Sequence, residues 1–251
     1  MKRFKSHIPN AITLLNLLTG CMAVVFAAQG GPGYAAVFIL VAAVFDFLDG
    51  MAARLLNVRS PIGQQLDSLA DMISFGFAPA FILHIHVTGL YTDPVLPYVQ
   101  PGLTYMEFAG FYLPFVIVIF AALRLARFNI DDRQEESFLG LPTPAMALLV
   151  AAGVYVYHHT GILKEVPLLV QPWFWEVAAL VLSVLMILPI RMFSMKFKDL
   201  SWSNNQIRYI FVGISLFLLV SLQALAFPLI IIWYILLSLF YHIFEIKQSK
   251  L

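Results

Sequence analysis

Eight runs of apolar residues follow one another along this chain, at about 11–28, 34–56, 62–88, 106–128, 143–160, 172–190, 208–224 and 226–246. Each is long enough to cross a bilayer as a helix. The breaks between them carry turn chemistry. Gly30-Gly31-Pro32-Gly33 predicts a tight turn, and Ser60-Pro61 predicts an N-cap and first-turn proline that start the third helix. Longer loops are expected at 89–105, with Pro94, Pro97 and Pro101, at 130–141, with Asp131, Asp132, Glu135 and Glu136, and at 191–207. The break between the last two runs is slight, resting on Gln223 and Pro228. The pattern predicts an all-α polytopic integral membrane protein of about eight transmembrane helices in one membrane domain over 1–251, with no internal repeat or low-complexity tract.

Composition agrees: 61% of the 251 residues are hydrophobic and 12% charged, far from the usage of soluble domains. A net charge of +1 gives no reason to expect a nucleic-acid partner. The placement of charge is more informative. Of fifteen Lys and Arg, all but Lys164 fall at 2–5, between runs two and three, four and five, or six and seven, or after run eight. By the positive-inside rule this predicts an even number of spans, both termini cytoplasmic, in the cytoplasmic (inner) membrane. Residues 1–8 are expected either along the membrane surface or as a solvated tail. The single cysteine, Cys21, excludes an intrachain disulfide. Leu18-Thr19-Gly20-Cys21 has the look of a lipoprotein cleavage box, but cleavage would leave an odd number of spans, so Cys21 is read as a small buried thiol in helix 1. His84, His86, His158 and His159 lie at outer helix ends, away from other metal-type residues, and Trp173, Trp175 and Trp202 fit interfacial belts.

Against this apolar background, Asp46, Asp49, Asp67 and Asp71 stand out. An ionised carboxylate at mid-bilayer costs about 2.5–3.5 kcal/mol on insertion scales, so four require neutralisation. Asp46 and Asp49 share one helical face at i, i+3; Gly63, Asp67, Asp71 and Ser74 form a stripe at spacings of four, four and three. Gly50 and Ala53 leave room beside the first pair, and the N-terminus of helix 3 favours phosphate. Hard carboxylate oxygens in this number suit Mg²⁺ or Mn²⁺ rather than zinc. Four could hold two ions for phosphoryl transfer, or one could accept a nucleophile's proton. Inter-helix ion pairs and a cation or proton pathway are the alternatives.

The pattern Asp49-Gly50-x-x-Ala53-Arg54, eight residues, then Gly63-x-x-x-Asp67-x-x-x-Asp71, with Asp46 three residues earlier, resembles the signature of the CDP-alcohol phosphotransferase family at every fixed position. That family is membrane-integral, uses two divalent cations and displaces CMP from a CDP-linked alcohol with another alcohol's hydroxyl. The resemblance implies that Asp46, Asp49 and Asp67 ligate both metals, and that Asp71 ligates one and acts as general base. It implies that Gly50, Ala53, Arg54 and Gly63, with Asp49, lie against the CDP moiety, and that Asn10 and Thr13 on the first turn of helix 1 reach the same nucleotide. It places the site on the cytoplasmic side of helices 1–4, within a six-helix core over 1–190 followed by two additional helices at 208–246.

Three stretches resemble the branch of the family that uses serine: Pro9-Asn10-Ala-Ile-Thr13-Leu-Leu-Asn16-Leu-Leu-Thr-Gly20, Ala122-Leu123-Arg124-Leu125-Ala126-Arg127-Phe128-Asn129 and Phe138-Leu139-Gly140-Leu141-Pro142-Thr143-Pro144-Ala145. The resemblance implies transfer of the phosphatidyl group of CDP-diacylglycerol to L-serine, giving phosphatidylserine and CMP. Serine brings a carboxylate that wants an arginine; Arg124, Arg127 and Asn129 are the candidates for serine or phosphate. Membrane lipids are the surrounding partners, and the resemblance alone suggests a homodimer. The rivals are a family member using glycerol 3-phosphate or inositol phosphate, which calls for extra basic residues and sits poorly with the acidic 131–136 loop, and a divalent-cation channel or transporter. The latter wants acids spread through the membrane depth, often with inverted repeats.

Overall fold

The computed structural model describes residues 7–58, 60–91, 105–130, 138–193 and 201–248. The expected surface segment 1–6, Arg59, Arg133, the acidic run 131–136, the prolines of 92–104 and Lys196 and Lys198 lie outside the described residues.

Helix α1 spans His7–Ala28 and α2 spans Pro32–Leu55. Between them Gly30 adopts a φ of 82°, a left-handed conformation that glycine enters without Cβ strain. Helix α3, Pro61–Asp71, begins as expected: Ser60 accepts a hydrogen bond from the Gly63 amide at 3.3 Å and Pro61 occupies the first turn. The α-helix then gives way to a π-helical turn, Met72–Phe77, and resumes as α4, Ala78–Tyr91. This widened turn is not signalled by the sequence pattern, which reads as one unbroken helix. Helix α5, Tyr105–Tyr112, runs through a short 3₁₀ turn into α6, Val116–Ile130.

Helix α7 spans Thr143–His159 and α8 spans Pro172–Ile187. The residues flanking their ends pair as a minimal antiparallel ribbon, with β1 (Phe138–Leu139) against β2 (Arg191–Met192). Helix α9, Trp202–Leu222, is followed by a 3₁₀ turn and α10, Ala226–Gln248. Gln223 has φ 49° and ψ −118°, and the chain reverses there. The Phe211 and Tyr234 rings lie 6.1 Å apart, whereas a continuous helix would separate them by roughly 34 Å at 1.5 Å per residue. The slight sequence break at Gln223 is therefore a hairpin.

Among the described residues, five helical stretches are long and apolar enough to cross a membrane: His7–Ala28, Pro32–Leu55, Pro61–Tyr91, Ala109–Ile130 and Asn205–Ile243, the last folded back at Gln223. These residues form an integral membrane protein that is all-helical apart from the two-residue ribbon. Its outward faces carry Phe47, Leu69, Phe217 and Val220, all exposed, which lipid rather than water solvates. The interior is built from α1, α2, α4 and α7, where small residues such as Ala23, Ala27, Ala35, Ala42 and Ala147 let helices approach closely. Helix α2 packs chiefly on α1 and α7 and less on α4.

Candidate active site

Asp46 and Asp49 come from the last turns of α2, and Asp67 from the middle of α3. Their carboxylate oxygens lie within 4.8 Å of one another. At an effective dielectric of about 20, each pair of ionised carboxylates so close repels by on the order of 3 kcal/mol. Asp71, the last residue of α3, is buried, accepts a 3.4 Å hydrogen bond from the Asn16 amide, and lies within hydrogen-bonding reach of Asp46. One Asp49 oxygen is buried without a partner, as is expected of an oxygen that faces a cation rather than a proton donor. Three hard oxygen donors, mutually close and one of them with an orphaned lone pair, fit a divalent cation, and Asp71 stands beside Asp46 at their edge. The acids converge on one another and lie at one end of the bundle, which removes the basis for a path through the membrane depth.

A cavity of about 590 Å³ opens beside them, lined by Pro9, Asn10, Thr13, Asp49, Gly50, Ala53, Val58, Ser60, Pro61, Gly63, Gln64 and Asp67. The residues expected at a nucleotide thus share one wall system. Three local features keep it open. At Gly63 a Cβ would sit 2.7 Å from the Asn10 side-chain oxygen, so a larger residue would push the Asn10 side chain aside. A Cβ at Gly50 would meet nothing nearer than the Arg54 guanidinium, at 3.9 Å, so the exposed Arg54 side chain reaches back along α2 beside the cavity wall at Gly50. Thr13 donates to the Pro9 carbonyl at 3.0 Å and lies within hydrogen-bonding reach of Asp49. The N-terminus of α3 borders the same cavity through Pro61, Gly63 and Gln64.

The stripe drawn through Ser74 divides. Gly63 and Asp67 face the cavity, but the π turn carries Ser74 toward α1, where its hydroxyl donates to the Asn16 carbonyl at 3.0 Å. Asn16 is the residue that the motif search passed over. It is fully buried, its amide bonds Asp71, and its side-chain oxygen has no partner. The signal was present: Asn10, Thr13 and Asn16 recur every third residue in an otherwise apolar helix.

Of the acceptor candidates, Arg124 is buried, donates from Nη1 to the Thr143 hydroxyl at 3.4 Å, and lies within electrostatic reach of Asp71. Its Nε–H is buried without a partner. Arg127 is exposed on α6. Asn129 donates to the Ser68 hydroxyl at 2.9 Å, tying the end of α6 to α3 next to Asp67.

His84, His86, His158 and His159 lie toward the opposite end of the bundle. His86 lies fifteen residues past Asp71, roughly 22 Å along the helix. Its Nδ1 is 3.1 Å from His158 Nε2, and Tyr157 and Trp175 meet its ring edge-on at 4.6 Å. Each imidazole is the other's hydrogen-bond partner, so the pair locks α4 to α7.

A family model described as CDP-alcohol phosphatidyltransferase matches residues 6–189. A Helicobacter pylori CDP-diacylglycerol–serine O-phosphatidyltransferase is 30% identical over 224 residues, covering 87% of this chain and 84% of that protein. The Bacillus subtilis protein of the same name is 34% identical, over 60% of this chain and 77% of its own length. The Mycobacterium leprae one is 36% identical over 57% of this chain, and there the match spans 45% of the relative's length.

Proposed function

The chain belongs to the CDP-alcohol phosphatidyltransferase family, and from that premise we propose that it transfers the phosphatidyl group of CDP-diacylglycerol to L-serine, giving phosphatidylserine and CMP. The observation that supports this is the meeting of Asp46, Asp49 and Asp67, with Asp71 beside Asp46, next to a cavity lined by Asp49, Asp67, Asn10, Thr13, Gly50, Ala53 and Gly63. The names of the relatives supply the acceptor.

The cytidine diphosphate lies in the cavity, its phosphates toward the amides of the α3 N-terminus, with Arg54 at the rim. The diacylglycerol chains remain among the apolar helix faces. Asp46, Asp49, Asp67 and Asp71 hold two divalent cations, Mg²⁺ or Mn²⁺. When bound, these neutralise the diphosphate and the charge that develops on CMP. Asp71, aimed by Asn16, removes the proton of the serine hydroxyl. The serine oxygen forms a bond to the lipid-bearing phosphorus as the bond from that phosphorus to the CMP oxygen breaks, and CMP leaves with the electron pair. Arg124 meets the serine carboxylate, with Arg127 and Asn129 beside it. Eight spans put the site and both termini on the cytoplasmic side of the inner membrane, and the unit is a homodimer.

The test is CMP release by the detergent-purified protein with CDP-diacylglycerol and Mg²⁺ or Mn²⁺, offered serine, glycerol 3-phosphate or inositol phosphate. Metal-dependent release with serine alone is expected. Release with one of the phosphorylated acceptors instead would keep the family and replace the acceptor.

A further inference from the structure

A guanidinium recognises a carboxylate best when its fork is held before the ligand arrives. Arg124 is held on one side only. Nη1 is bound to Thr143, and the opposite edge of the guanidinium, formed by Nε and Nη2, contains the buried and unpartnered Nε–H. That edge is the one that takes a carboxylate side-on through two parallel hydrogen bonds, and it lies within electrostatic reach of Asp71. Serine's hydroxyl and carboxylate are joined by a short spacer, so base and anchor have to be neighbours.

Thr143 is the first residue of α7 and is 1% exposed. Its place is fixed by the chain just before it. Gly140, at φ 76°, donates to the Ile190 carbonyl at 2.9 Å, and Leu141 donates to the Leu185 carbonyl at 2.9 Å. A Cβ at Gly140 would run into the Met186 backbone, so this close approach requires glycine. The ribbon of β1 and β2 continues the same attachment to Phe193. There the C-terminal hairpin joins. The Tyr234 hydroxyl on α10 donates to the Phe193 carbonyl at 3.3 Å, the two rings lie 5.0 Å apart, and Phe211 on α9 packs against both. Tyr234 is also within electrostatic reach of Arg124, and α10 packs on α7 and β2. The hairpin lies beyond the residues that the family model matches.

We infer that Thr143 and Tyr234 are positioning residues that hold the Nε–Nη2 edge of Arg124 toward the acceptor's carboxylate, so that the C-terminal hairpin forms one wall of the acceptor pocket. This rests on serine transfer as proposed above. It gives the hairpin a role in acceptor selection rather than in anchoring alone.

The experiment measures CMP release by full-length Thr143→Val, Thr143→Ser and Tyr234→Phe proteins, varying serine, CDP-diacylglycerol and serinamide, which lacks the carboxylate. Thr143→Val should raise KM for serine about tenfold, the size expected for losing a hydrogen bond to a charged group. KM for CDP-diacylglycerol should stay unchanged, and the preference for serine over serinamide should shrink. Thr143→Ser keeps the acceptor oxygen and should restore both. Tyr234→Phe keeps the ring packing, loses the tie to Phe193, and should shift the same two readouts less far. Should Thr143→Val not fold, Tyr234→Phe and Thr143→Ser carry the comparison. Wild-type serine KM in Tyr234→Phe and Thr143→Val, or equal increases in both substrates' KM, would overturn the inference while leaving the reaction standing. Wild-type protein that releases no CMP with serine would overturn both.

Discussion

The four aspartates are alike in type and different in surroundings. Asp46, Asp49 and Asp67 converge on one another, whereas Asp71 is set by the Asn16 amide and by nearby Arg124. This marks Asp71, alone among the cation-holding acids, as the one placed to remove a proton. Asp71→Asn keeps the shape and the Asn16 contact but cannot accept a proton. Turnover should fall by at least about 100-fold, the usual contribution of a positioned general base, while CDP-diacylglycerol binding measured by equilibrium titration is partly retained. Near-normal turnover would remove Asp71 as the base. The carboxylates were legible in the sequence because ionisable groups are so costly in an apolar run that each demands an explanation. Asn16 was not singled out, because a neutral amide costs far less there, and only its tertiary partner, fifty-five residues away in the chain, gives it meaning.

At the scale of elements, the starts of the helices were the most legible part. Ser60-Pro61 caps α3 as its chemistry demands, and the glycine-rich turn closes α1 onto α2. The π turn at Met72–Phe77 was not, since its apolar residues fit an α-helix equally well and the extra residue is accommodated by contacts with α1. That contact is unusually close. A Cβ on Gly20 would fall 2.8 Å from the Ser74 Cα, and backbone cannot move aside as a flexible side chain can. Gly20→Ala should therefore force α1 and the π turn apart, at about 1–3 kcal/mol of overpacking strain, and displace Asn16 from Asp71. A lowered melting temperature with at least a tenfold drop in kcat is expected. Unchanged kcat at reduced stability would mean that the Asn16–Asp71 contact does not govern catalysis.

The molecule as a whole places its two polar clusters at opposite ends. At one end His86 and His158 bond each other and are ringed by Tyr157 and Trp175, with His86 Nε2 left without a partner. At the other, three carboxylates crowd one another and Asp49 has an orphaned oxygen. The second end is thus built for occupancy rather than for stability, a trade common at functional sites. The consequence is measurable without turnover. Removing divalent metal with a chelator should lower the melting temperature in detergent. Mn²⁺ or Mg²⁺ at a hundred times its dissociation constant should add about 2.7 kcal/mol. Asp46→Asn relieves like-charge repulsion and removes a ligand, so this variant should be more stable than wild type in chelator yet gain much less from metal. A wild-type protein whose melting does not respond to Mg²⁺ or Mn²⁺, or an Asp46→Asn variant that responds as fully as wild type, would mean that the carboxylates are neutralised by protons and by each other.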